Sequence, residues 1–224
     1  MRTLIIIVSL IFSLTVQAQI GTQVFKIGSN GSIVTNSIMV KPFDDVPQIK
    51  TLSYVSNNPV RVSVGGQDYD IKTGCLEQWD DFSYTFNVIT IYSGVRKIFE
   101  LRQPEMWTYT YDGESTMDYR QYTDNRYFIP IALSEQAVAL AFVGWPYGGD
   151  MPYLTIIALT DNDAKLVFNK HMGINKIARS GNSCVMELQA NIVEYGEDGK
   201  PFDDPNNVPN IHYLEVNNGM LYFK

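Results

Sequence analysis

Cysteine, histidine and positive charge are all scarce in this 224-residue chain. Two cysteines, Cys75 and Cys184, exclude a disulfide-rich miniprotein. Lys and Arg total 17 against 24 Asp and Glu, for a net charge of −7. That balance lacks the basic footprint of a nucleic-acid binder. Charged residues make up only 18% of the chain and hydrophobic residues 45%, which excludes a disordered polypeptide. The two histidines are dispersed: His171 lies between Lys170 and Met172, and His212 lies in a strand-like run. There is no Gly-x-Ser-x-Gly elbow, His-Glu-x-x-His or Cys-x-x-Cys motif, Walker loop or dinucleotide fingerprint. No catalytic residue, metal site or cofactor is therefore assigned. A glycosidase needs only two carboxylates about 5–10 Å apart, so the many acids leave that chemistry open.

Long apolar runs are also missing, apart from one at the start. Arg2 precedes Leu4–Leu14, and Val16-Gln17-Ala18 forms a small-residue cleavage site. This pattern predicts a secretory leader over 1–18, cleaved before Gln19, and a single β-rich domain over 19–224. No cysteine closely follows the leader, so a lipid anchor has no support. The expected location is secreted or periplasmic, with no membrane span after cleavage. An oxidising compartment permits a Cys75–Cys184 disulfide; two buried thiols are the alternative.

Beyond residue 19 the dominant period is two. Val60–Val64 alternates, and so does Trp107-Thr108-Tyr109-Thr110-Tyr111, which puts three aromatic rings on one strand face. Turn-forming residues separate such runs. Thr51–Val55 and Val60–Val64 flank Ser56–Pro59, and Thr85–Tyr92 and Arg96–Leu101 flank Ser93-Gly94-Val95. Leu154–Thr160 and Ala164–Asn169 flank Asp161-Asn162-Asp163. Ile174–Ala178 and Cys184–Gln189 flank Arg179–Ser183, and Tyr213–Val216 and Met220–Phe223 flank Asn217-Asn218-Gly219. Leu133–Phe142 is the best helical candidate, but Ser134-Glu135-Gln136 favours strand–turn–strand. A faint repeat relates Lys41–Asp45 to Lys200–Asp204. The expectation is an all-β antiparallel meander of about 10–13 short strands, a sandwich or barrel, with a small propeller-like fold as the alternative.

Three groups of residues stand out as candidate sites. Trp107, Tyr109 and Tyr111, with Trp145, Tyr147 and Asp150 in a loop, could form an aromatic binding surface; packing in the core is the competing account. Acidic loops Glu77–Asp81 and Glu197–Asp204, the latter holding Asp203 and Asp204, each carry a net −3, and Asp161–Asp163 is a third oxygen-rich turn. None has the spacing of a Ca²⁺ loop, which favours solvated turns. Finally, Lys165–Arg179 carries Lys165, Lys170, Lys176 and Arg179 with no acid. These features point first to an exported, non-enzymatic protein that binds a protein partner, in the manner of an acidic inhibitor or immunity protein. A carbohydrate-binding or carbohydrate-active protein, with Trp145 and Tyr147 stacking on sugar rings, is the second reading. A structural surface component with pairing strand edges is the third.

Overall fold

The computed structural model describes residues 21–40, 59–74, 85–108, 128–144, 152–181 and 183–224. The leader, the first copy of the repeat, Thr51–Val55, Cys75, Glu77–Asp81, Tyr109, Tyr111, Trp145, Tyr147 and Asp150 lie outside them. The described residues form fifteen strands and no helix. They are β1 (Thr22–Gln23), β2 (Phe25–Ile27), β3 (Ile33–Thr35), β4 (Val60–Val64), β5 (Gln67–Gly74), β6 (Thr85–Ser93), β7 (Arg96–Thr108) and β8 (Ile129–Ser134). There follow β9 (Ala137–Gly144), β10 (Tyr153–Thr160), β11 (Ala164–His171), β12 (Gly173–Ser180), β13 (Ser183–Gln189), β14 (Ile211–Asn217) and β15 (Met220–Phe223). The count exceeds expectation because β1–β3, of two or three residues each, are too short to show a period.

All pairs among the described strands are antiparallel. A five-stranded sheet runs β1-β15-β14-β13-β12, an eight-stranded sheet runs β11-β10-β9-β7-β6-β5-β4 with β8 also on β9, and β2-β3 stand alone. Between β7 and β9 the ladder is a single pair, Trp107 with Gly144, so the large sheet bends there. Its halves, β4–β7 and β8–β11, then bury residues against each other.

Alternation along β9 and β10 shows the layering. Ala139, Ala141 and Val143, with Leu154, Ile156 and Ala158, join one core together with Met186, Leu188, Leu214 and Leu221 of the five-stranded sheet. The intervening Leu140, Phe142, Tyr153, Ile157 and Leu159 join a second core with Ile71, Phe86, Ile89 and Trp107. β9 and β10 are thus buried on both faces, which explains their nearly continuous apolar sequences, whereas β8 alternates buried and exposed residues. Each fully buried Leu, Ile or Phe contributes about 1.5–3 kcal/mol. The result is a stack of antiparallel sheets, the sandwich form of the all-β expectation.

The expected hairpins at 93–95, 134–136, 161–163, 179–183 and 217–219 are present. Asn218 and Gly219 both have positive φ, at 49° and 74°, as a two-residue hairpin turn requires. Val60–Val64 makes its ladder downstream, with Gln67–Ile71 across Gly65-Gly66.

Candidate functional site

The two ends of the strands differ, and the difference locates the candidate site. Cα partners run in one row across five strands: Phe86, Trp107, Gly144, Tyr153 and His171. Side chains in such a row share a face, and the aromatic ones form a ladder. Phe86 stacks on Trp107 at 5.8 Å, Trp107 meets Tyr153 at 6.2 Å, and Tyr153 meets His171 at 6.1 Å. Gly144 completes the row because no side chain fits there: a Cβ would sit 2.0 Å from Cζ of Tyr153. Beneath the ladder, Trp107 Nε1 donates to Thr155 Oγ1 at 3.0 Å, and Thr155 Oγ1 donates to Asn169 Oδ1 at 2.7 Å. Trp107 is wholly buried. It is a core residue in the floor of this end, not an exposed ring of a platform.

Gly74, Thr85, Thr108, Gly144 and Tyr153 all terminate strands at this end. The β13–β14 connection leaves from the same end. Gly173, Gln189 and Ile211 form the last row of the five-stranded sheet. Gly173 in turn lies against Pro152, one residue before Tyr153.

That connection, 191–210, is the described surface that best suits recognition. Its own hydrogen bonds fix its shape. Asn207 Nδ2 donates to the carbonyls of Glu194 and Phe202, and the Glu194 amide donates to Asn207 Oδ1. Asn191 Nδ2 donates to the Val208 carbonyl at 2.9 Å, and the Asn210 amide donates to Asn191 Oδ1 at 2.7 Å. Tyr195 bridges to Pro201, and the Phe202 ring lies over Gly196. Yet Ile192, Tyr195, Phe202 and Val208 are 52–60% exposed. Asp203 and Asp204 are exposed beside them, as are Glu194, Glu197 and Asp198. The loop thus combines exposed apolar side chains and acidic groups on a hydrogen-bonded frame.

The other sequence candidates have structural roles or lie elsewhere. Asp163 accepts hydrogen bonds from the Ile33 and Ala164 amides, each at 2.9 Å, and Lys165 Nζ lies 3.4 Å from its Oδ2. Thr160 Oγ1 donates to the Gly31 carbonyl, Asn162 Nδ2 to that of Asn30, and the Tyr69 hydroxyl to that of Asp161. The 161–163 turn is thus a clasp on its neighbours rather than a solvated loop. Burial, with Asp161 nearby, raises the Tyr69 pKa against a smaller opposing effect of Arg96, keeping it a donor. No group of three or more metal-ligating side chains occurs among the described residues.

Cys184 is a free, buried thiol, and burial raises its pKa against the opposing influence of Arg179. The basic run does not form one face. Lys165 reaches the Ile33 carbonyl, Lys170 lies over the Phe223 ring, and Arg179 donates to the Pro130 carbonyl. His212 stacks on Phe223. Sequence reasoning found Asp203 and Asp204 but missed Ile192, Tyr195, Phe202 and Val208. The available signal was apolar residues spaced without period among Gly, Pro, Asn and Asp.

No known protein family and no curated protein matches this sequence.

Proposed function

We propose that this is an exported protein that acts by binding, and that the 191–210 loop engages a basic surface on a protein partner. The observation that carries this reading is the loop itself: Ile192, Tyr195, Phe202 and Val208 stay exposed on a hydrogen-bonded frame flanked by Asp203 and Asp204. A preshaped loop loses little conformational entropy on association. Aromatic anchors carry binding energy, and acidic groups around them speed encounter with a positive partner and discourage acidic ones. An inhibitor or immunity-like role fits this surface. The glycan reading rests on Trp145 and Tyr147, outside the described residues.

The test is affinity capture from an extracellular and periplasmic extract, comparing the parent chain with Tyr195→Ala/Phe202→Ala and with Asp203→Asn/Asp204→Asn. Loss of an aromatic anchor costs about 2 kcal/mol, so capture of a specific protein falls at least tenfold in the first variant. In the second, association slows and loses part of its salt dependence. Capture that is equal for all three chains at every salt concentration overturns the proposal.

A further inference from the structure

The middle of the 191–210 loop is a projecting ribbon with two faces. The Phe202 amide donates to the Glu194 carbonyl at 3.0 Å and the Gly196 amide to that of Lys200 at 2.8 Å, on either side of the Tyr195–Pro201 bridge. These bonds make residues 194–202 a short two-stranded hairpin. Its tip is closed by the Gly199 amide on the Gly196 carbonyl at 3.0 Å, and Gly199 has a φ of 72°. A turn followed by one glycine in the left-handed region is a common three-residue hairpin connection.

Side chains alternate between the faces of such a ribbon, and cross-strand partners share a face. Tyr195 therefore lies on one face with Pro201, and Phe202 on the opposite face with Glu194. The packing agrees: Cε1 of Phe202 is 3.5 Å from where a Cβ on Gly196 would sit, and Gly196 is two residues along from Glu194. Each face thus carries one aromatic ring, and both rings are more than half exposed. Glu197 and Asp198 are exposed at the tip, and Asp203 and Asp204 just beyond the base. Residues 194–204 hold five acids and one lysine, a net charge of 1 − 5 = −4.

A flat surface laid against this ribbon covers one ring and leaves the other in water. Burying both takes a wall on each side. We propose that the hairpin inserts tip-first into a basic groove of its protein partner, with Tyr195 against one wall and Phe202 against the other. This inference rests on the reading of 191–210 as the binding loop and adds the shape of what it binds: a cleft that admits a two-stranded ribbon. Carboxylates at the tip and base place negative charge at both the floor and the mouth of that cleft, so the complementary lining is positive. A cleft lined by positive charge gathers anionic ligands, and the inserted hairpin takes their place. The hydrogen-bonded frame lets the ribbon enter without first being ordered.

The test places the photocrosslinking side chain p-benzoylphenylalanine at position 195 or at position 202 of the full chain, and identifies the protein that each crosslinks in the same extract. Insertion predicts that both positions crosslink one and the same protein. It also predicts that Tyr195→Ala and Phe202→Ala each weaken capture of that protein about tenfold, because each removes an anchor from a separate wall. Heparin, a soluble polyanion, displaces the parent chain from it, and neutral dextran at the same ionic strength does not. A crosslink from one position only, with the other alanine variant captured as well as the parent, overturns insertion while the binding reading stands, since a one-sided contact also uses the loop. Failure of heparin to displace the parent overturns the basic groove. No specific capture by the parent overturns the binding reading and the insertion with it.

Discussion

At one end of the strands the chain reverses in tight turns, and at the other it takes long connections. The tight end holds the turns at 28–32, 65–66, 94–95, 135–136, 161–163 and 218–219, and Gly181 after β12. Several are sewn to one another. The Gly65 amide donates to the Glu135 carbonyl at 3.0 Å, Gly31 and Gly65 both abut Asp161, and Gly219 abuts the Leu133 carbonyl. The open end carries the 191–210 loop and the strand termini at Gly74, Thr85, Thr108, Gly144 and Tyr153. Antiparallel meanders allow this division, because every second connection falls at the same end. Tight turns fix register at one end and leave the opposite connections free to lengthen and vary. The comparison predicts that substitutions at the tight end cost stability and spare binding, and that exposed substitutions in 191–210 do the reverse.

The largest expected effect tests whether the open end is soft. Its floor is core, so Gly144→Ala, which forces a Cβ into the Tyr153 ring, lowers unfolding free energy by about 3 kcal/mol in urea denaturation. A neutral result would show that the aromatic ladder yields, and that the open end lacks a rigid base. Next comes Asp163→Ala at the tight end. It removes the acceptor for the Ile33 and Ala164 amides and lowers stability by about 2 kcal/mol, with partner capture unchanged. If capture fell as well, the two ends would be coupled and the division of labour wrong.

How much of this could be read beforehand depended on whether the signal was local. Hairpins at Asn218-Gly219, Ser93–Val95 and Asp161–Asp163 were legible because turn chemistry sits between period-two runs. The Gly65-Gly66 turn joins Val60–Val64 to a downstream strand absent from the sequence-based expectation, while the upstream run Thr51–Val55 lies outside the described residues. In the sequence reading the second strand of the Ser93–Val95 hairpin ends at Leu101, whereas β7 runs on to Thr108 and takes in Trp107. Alternation put Trp107 on a face but could not say that the sheet bends at Gly144 and encloses that face. At the candidate site, charge pointed to Asp203 and Asp204, whereas exposed Tyr195 and Phe202 have no period to reveal them.

The smallest expected effect concerns acid, and asks whether the tight half is held by charge as well as by packing. Among the described residues, the two carboxylates with clearly lowered pKa values lie on β5 and β7, toward the tight turns. Asp70 is held down chiefly by its hydrogen bond from Arg61, and Glu100 chiefly by Lys97, with Arg102 adding to it. A carboxylate whose folded pKa is lowered stabilises the fold above its unfolded pKa, and that contribution is lost as pH falls through the folded value. Parent and Asp70→Asn or Glu100→Gln chains therefore differ in denaturation midpoint near pH 7. The difference shrinks through the carboxylate range, about pH 4 and below, as the parent side chains take up protons. Solvent screens both pairs, so the change stays small beside that of Gly144→Ala or Asp163→Ala. If the difference instead persisted unchanged into acid, the side chains would be acting through packing alone, and the tight half would owe nothing to these ion pairs.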